Sequence, residues 1–156
     1  MPHPSLINYD DNSQYKAHFE RHYCRAIIKT HDGIRIYFSS DRFSHAFYES
    51  SKRDANKNVF SIIRAQRIDW IRSTLEHPDA KLFQGWNKIK KCYELNRRAA
   101  VKHENFIVII SIKRKANNTL SGEFITCYQA DNSMEKINKS PLWTIEKFME
   151  EIGGGR

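Results

Sequence analysis

The stretch VFSIIRAQRIDWIRSTLE, residues 59–76, carries the clearest helical periodicity in the chain. Placed at 100° per residue, Val59, Phe60, Ile63, Trp70, Ile71 and Leu75 fall on one apolar face. His77-Pro78 ends it, because proline lacks an N–H and drives the residue before it out of helical geometry. The spacing predicts one long helix.

The segments on either side read as strands. Downstream, Lys90 to Leu95, Phe106 to Arg114 and Gly122 to Gln129 are rich in β-branched and aromatic residues. Upstream, His22 to Thr30 and Ile34 to Ser39 flank His31-Asp32-Gly33, and Asp-Gly is a strong hairpin signal. Ser40 or Asp41 caps a short helix from Arg42 to Ser51, a polar loop runs from Ser51 to Asn58, and Pro141 separates helical candidates at Asp131–Ser140 and Thr144–Ile152. The expected fold is α+β: an antiparallel β-sheet of about four to five strands packed against one long helix and short N- and C-terminal helices. Residues 1–20 form a polar arm, 21–152 a single domain and 153–156 a flexible tail.

Composition narrows the class. The chain has 156 residues, 40% hydrophobic and 12% aromatic, too apolar for a disordered protein. Its apolar runs fall far short of the roughly 20 residues that cross a bilayer, and no leader is legible in residues 1–22, so a cytoplasmic protein without a membrane partner is expected. Cys24, Cys92 and Cys127 make neither a disulfide framework nor a CxxC site. His18, His22 and Cys24 lack a fourth ligand at a metal-like spacing, and no glycine-rich phosphate loop is present, so no metal or cofactor is expected.

Lys plus Arg number 26 against 18 Asp plus Glu, a net charge of +8, and the excess is local. Residues 81–103 hold Lys81, Lys88, Lys90, Lys91, Arg97, Arg98 and Lys102 against only Glu94. Phe83, Trp86 and Tyr93 are interleaved with them. Cations attract a phosphate backbone and aromatic faces stack on unpaired bases. A solvated, solubilising hairpin is the simpler alternative.

Three further features point to chemistry. Arg64 and Arg67 fall within or beside the apolar face of the helix, where a guanidinium must be paired or reach a cleft. They either grip a phosphate with their forked donors or serve structure by snorkelling or pairing with Glu49 or Asp131. His45 lies on the short helix with Glu49 four residues on, a pairing that suits a general base. In Phe124-Ile-Thr126-Cys-Tyr128 a two-residue period puts Phe124, Thr126 and Tyr128 on one face, where two hydroxyls serve either a cleft or a half-buried strand.

The run from His45 to Glu49, the segment Phe60 to Ile71 with Arg64, Arg67 and Trp70, Gln84-Gly-Trp86, the strands at 106–112 and 124–128, and Ser140-Pro-x-Trp143 resemble the phage-type barnase–EndoU–colicin–RelE-like (BECR) nucleases. The resemblance covers about residues 22–148. It implies an antiparallel sheet packed on N-terminal helices and metal-free RNA cleavage. It makes His45, Arg64, Arg67, Thr126 and Tyr128 the cleft residues, supported by Glu49 and Trp70. Cys127, between Thr126 and Tyr128, departs from the commoner small-residue pattern of that strand.

The expected function is a metal-independent endoribonuclease, phage- or toxin-like, acting by 2′-hydroxyl transesterification. His45 takes the 2′-proton, Arg64 and Arg67 stabilise the phosphorane, Thr126 positions phosphate, and Tyr128 stacks or protonates the leaving oxygen. Lys88, Lys90, Lys91, Arg97 and Arg98 hold the flanking backbone. The partner is RNA, single-stranded or structured, with an inhibitor or immunity protein as a second partner class. The alternative is an RNA- or DNA-binding module of a mobile element without catalysis.

Overall fold

The computed structural model describes residues 3–49, 59–130 and 134–154, with the side chains of 96, 97 and 152–154 excepted. The first helix, α1 (Asn12–Phe19), begins at a capping box: the Asp11 carboxylate accepts from Gln14 N–H, and the Gln14 side chain accepts from Asp11 N–H. It runs on through a π-helical turn, Glu20–Cys24, where the sequence suggests a strand. Strands β1 (Ile28–Lys29) and β2 (Arg35–Tyr37) flank the expected Asp-Gly turn, with Gly33 at φ 92. Then follow α2 (Arg42–Ala46), β3 (Tyr48–Glu49), β4 (Val59–Phe60), α3 (Ile62–Gln66) and α4 (Ile68–Glu76). Four strands come next, β5 (Lys81–Asn87), β6 (Cys92–His103), β7 (Phe106–Arg114) and β8 (Leu120–Gln129), before α5 (Met134–Asn138) and α6 (Ile145–Gly154). The polar loop read at Ser51–Asn58 and the cation partner Asp131 lie outside the described residues.

The sheet departs from the expected one. It is six-stranded and mixed, in the order β1-β2-β8-β7-β6-β5, with β3 and β4 paired separately. Strands β5 to β8 form an antiparallel meander, but β2 lies parallel to β8, Arg35 to Tyr37 alongside Ser121 to Glu123. Two features hide this from the sequence. Gln84 and Gly85 interrupt the alternation of β5 at a register shift. Three residues of parallel pairing, with most of the chain between them, leave no local signal.

The long helix is two short ones. Ser61 Oγ accepts from Arg64 N–H and starts α3, which releases Val59 and Phe60 to pair with Glu49 and Tyr48. Arg67, at φ −98 and ψ 22, leaves helical geometry and breaks the run. The break rephases the buried face. Ile63 is 57% exposed, while Ala65, Ile68, Ile71 and Leu75 are fully buried.

Helices α1 to α4 and α6 pack on one side of the sheet. Rows across the meander, Leu82–Val101–Val108–Cys127 and Ala99–Ile110–Phe124, supply that face of the core. Phe19 lies at the centre of a ring cluster, with Phe38, Phe43, Phe47 and Phe124 centroids 5.8–6.0 Å away. At the far margin Trp143 N–H donates to Leu82 O, Gln84 N–H to Pro141 O, and the Trp143 indole to Leu95 O. None of the described helices is long and apolar enough to cross a membrane.

One register slip redistributes the last strand. Ile109 pairs with Thr126 but Ile110 pairs with Phe124, so Ile125 is the extra residue of a β-bulge. Phe124 and Cys127 therefore both face the helices. Thr126 and Tyr128 face the opposite side, separated from Phe124, whereas the two-residue period groups all three.

Gly122 lies on the helical face where β2 meets β8. A Cβ there would come within 2.7 Å of Ile36 Cδ1 and 2.8 Å of Ser111 O. Gly122→Ala is expected to destabilise the fold by about 1–3 kcal/mol through overpacking, read as a lower urea midpoint at unchanged slope.

Candidate nucleic-acid interface

The sheet face away from the helices carries the hydroxyl, aromatic and cationic groups. One row across it is Tyr37–Glu123–Ser111–Arg98, with Tyr37, Glu123 and Arg98 exposed. The next are Thr126–Ile109–Ala100–Phe83 and Tyr128–Ile107–Lys102–Lys81, in which Thr126 and Tyr128 are half-buried. Helix α5 covers one end, where Lys102 Nζ donates to Asn138 Oδ1 at 2.6 Å. Between α5 and the sheet lies an apolar cleft of about 440 Å³, with Phe83, Trp86, Lys88, Tyr93 and Tyr128 in its walls. Trp86 and Tyr93 meet edge-to-face at 4.9 Å, and Trp86 is 49% exposed. Lys88, Lys90 and Lys91 all project from the exposed β5–β6 turn, where Lys90 pairs with Glu94 at 3.6 Å. Arg98 belongs to the open face, whereas the Arg97 side chain lies outside those described.

A second cleft, of about 590 Å³, borders the same face at the end of β2, lined by Tyr37, Arg42, His45, Glu123 and Phe124 among others. Its origin is the shortness of β2. That strand stops at Tyr37, so α2, instead of a strand, flanks β8 from Phe124 onward. Phe43, Ala46 and Phe47 anchor this part of the chain in the core, which leaves His45 exposed at the mouth. Lys115 Nζ donates to Tyr37 Oη at 3.3 Å, the Arg35 guanidinium lies 4.7 Å from the ring centre, and Lys115 Nζ lies 5.4 Å from it. The Lys115 hydrogen bond, then the Arg35 charge, hold the Tyr37 phenol below the ordinary tyrosine range.

The two arginines belong to the helical side. Arg64 Nη1 donates to Ala46 O at 3.1 Å, and Nη2 pairs with Glu49 Oε1 at 3.5 Å. Glu49 is not on one helix with His45, since α2 ends at Ala46; its carboxylate goes to Arg64. Arg67 Nη1 donates to Ile63 O at 2.8 Å, and its guanidinium lies over Trp70 at 5.0 Å. Trp70 in turn donates to Pro4 O at 2.7 Å. Both arginines are thus engaged where the helix breaks, on the side of the sheet away from Thr126 and Tyr128. Burial pushes the Cys127 thiol up to about 12, the nearby Arg64 charge opposing, so that sulfur is inert at neutral pH.

Of the expected catalytic set, His45, Thr126 and Tyr128 border or line the open face, joined by Tyr37, Arg35, Arg42 and Glu123. Arg35 and Tyr37 carry a sequence signal: in Arg35-Ile36-Tyr37 the buried Ile36 alternates with two outward groups. Arg42 and Glu123 depend on long-range pairing and carry none. His18 has both ring nitrogens engaged, Nε2 with Asp69 Oδ1 at 2.7 Å and Nδ1 with Tyr9 Oη at 2.9 Å. It fastens the N-terminal arm to α1 and α4. No protein-family model, curated protein or solved structure matches the chain.

Tyr37 provides a direct check of the electrostatics. An ultraviolet absorbance titration is expected to show one tyrosine ionising below the ordinary range. Lys115→Ala moves that transition upward, because the donor that favours phenolate is gone.

Proposed function

We propose that the protein is a metal-independent endoribonuclease whose open sheet face takes the RNA strand, in keeping with its resemblance to the phage-type BECR nucleases. What carries the reading is the His45 cleft, which sets an imidazole, a low-pKa phenol and Arg42 at the edge of a cationic sheet face. His45 accepts the proton of a ribose 2′-hydroxyl as that oxygen attacks phosphorus. Tyr37 gives its proton to the departing 5′ oxygen, and its lowered pKa eases the transfer. The bond from phosphorus to that oxygen breaks, leaving a 2′,3′-cyclic phosphate and a 5′-hydroxyl. Arg42, with Arg35 and Lys115 about the phenol, offsets charge on the phosphorane.

The remaining surface suits the rest of the strand. Thr126 offers a hydroxyl to a phosphate oxygen, Tyr128, Trp86 and Tyr93 offer ring faces to bases, and Lys88, Lys90, Lys91 and Arg98 hold the backbone. Arg64 and Arg67 have no role in this version, because they lie on the helical side, Arg64 held by Ala46 O and Glu49, and Arg67 by Ile63 O through Nη1 and by the Trp70 ring, with its Nε buried and unpartnered. The same placement favours a second reading, an RNA-binding module that grips phosphate without cleaving it.

Short RNA incubated with the protein in EDTA is expected to yield cyclic-phosphate ends. His45→Ala lowers the rate on the order of a hundredfold or more and removes the ascending limb of the pH–rate profile. Intact RNA, or an unchanged limb in that variant, overturns the mechanism; binding with no cyclic ends selects the second reading.

Affinity should fall steeply with salt. If the surface contacts about four phosphates, log K against log salt has a slope of about −3, reduced when Lys88, Lys90, Lys91 and Arg98 become alanine.

A further inference from the structure

Three histidines far apart in the sequence meet beside the β6–β7 turn. His3 stacks on Trp70 with centroids 4.4 Å apart and meets the His103 ring edge-on at 4.9 Å. His77 stacks on His103 at 3.7 Å. Glu104 follows His103 at φ 55, a left-handed conformation that glycine or asparagine adopts more readily than glutamate. One donor atom from each of His3, His103 and Glu104 lies within 4.8 Å of the other two. No other such group of histidine, cysteine and carboxylate side chains occurs among the described residues.

The hydrogen bonds around this trio supply orientation but leave acceptors over. Ser73 Oγ donates to Trp70 O at 3.2 Å and lies 2.8 Å from His3 Nδ1. With the serine proton so used, Ser73 Oγ can accept from His3 Nδ1–H, the tautomer that presents the lone pair of Nε2. In the metal-free protein the other tautomer is the one that fits His103 O, to which Nε2–H donates at 3.4 Å, so ligation exchanges this long hydrogen bond for a bond to the ion. His103 Nε2 is buried without a hydrogen-bond partner. A buried polar atom in that state calls for something to satisfy it.

We propose that His3, His103 and Glu104 bind a divalent transition-metal ion, zinc by the nature of the donors. Two imidazoles and one carboxylate suit zinc, whereas magnesium and calcium prefer all-oxygen sets. Tetrahedral bonds of about 2.0–2.1 Å separate neighbouring donor atoms by roughly 3.4 Å, so the trio closes around the ion by side-chain rotation. Ser73 is a positioning residue: it accepts from His3 Nδ1–H and fixes the tautomer that ligates through Nε2. His77 has its Nδ1 occupied by Asp79 N–H at 3.0 Å and forms a wall of the site. Three protein ligands leave the fourth position to water.

The ion ties the start of the chain to a turn 100 residues away. Without it, this end of the arm is held by the Trp70 indole on Pro4 O and by Ile7 N–H on Gln66 O. The site lies on the helical side, beside Trp70 and Phe106, and shares no residue with the His45 cleft. It stands or falls separately from the RNA reading.

The test is a zinc titration of the full chain, stripped with EDTA, in competition with a chromophoric chelator. One ion per chain binds, and cobalt(II) in its place gives the visible absorption of a low-coordinate nitrogen–oxygen site. His103→Ala and Glu104→Gln each weaken binding by roughly tenfold or more, and Ser73→Ala weakens it by a similar factor. Glu104→Gln changes an exposed side chain, so it reports on binding even if His103→Ala fails to fold. His22→Ala keeps wild-type affinity, which separates this site from the His18–His22 pair. Absence of stoichiometric zinc binding, or affinity unchanged in Glu104→Gln, overturns the proposal.

Discussion

The register slip between Ile109 and Ile110 is the constraint on which the surface of this protein depends. By placing one extra residue, Ile125, in β8, it allows Phe124 and Cys127 to share the buried face even though they are three positions apart. Without it, a strict two-residue alternation that buried Phe124 would also bury Thr126 and Tyr128, and turn Cys127 outward. The bulge thus delivers Phe124 and Cys127 to the helices and the hydroxyls of Thr126 and Tyr128 to the outer face. It also falls where β2 gives way to α2 as the neighbour of β8, which is where the His45 cleft opens.

The break at Arg67 shows a second accommodation of conflicting demands. A continuous helix over residues 59–76 would carry two guanidiniums into an apolar face, at a desolvation cost of several kcal/mol per ion. The chain instead begins the helix late, at Ser61, and interrupts it at Arg67. Carbonyls left over at helix ends and breaks become acceptors: Ala46 O, in the last residue of α2, for Arg64 and Ile63 O for Arg67. The arginines pair with the backbone irregularities that make room for them.

The sequence discloses what depends on near neighbours. The Asp-Gly turn, the strands at 106–114 and 122–129 and the end of the helical stretch at Glu76 are local patterns and are present, and the helical candidates at 131–140 and 144–152 hold α5 and most of α6. The start of the helical stretch is not where the periodicity puts it, since Val59 and Phe60 form β4. Strand β5 is obscured because lysine, glutamine and glycine occupy a margin whose pairing is completed by Pro141–Trp143 from the far end of the chain. The parallel contact of β2 and the bulge of β8 are decisions of tertiary packing, and the placement of Thr126 and Tyr128 follows from them. His45 is legible as an exposed imidazole, but its companions are not: Glu49, four residues away, turns to Arg64, and Glu123, nearly eighty residues away, lines the cleft. The cluster of His3, His77 and His103 has no signature in spacing at all.

The two margins of the six-stranded sheet have a bearing on solubility. Open strand edges template pairing with other chains, and long, flat, apolar edges are the dangerous ones. Here one margin, β1, is two residues long and exposes Lys29. The other, β5, is overlaid by Pro141–Trp143, which takes up the Gln84 N–H and the Leu82 carbonyl, and whose proline has no N–H of its own to offer. A sheet built this way can keep a broad face open to a ligand while offering neighbouring copies little free edge at β1 and along Leu82–Gln84 of β5.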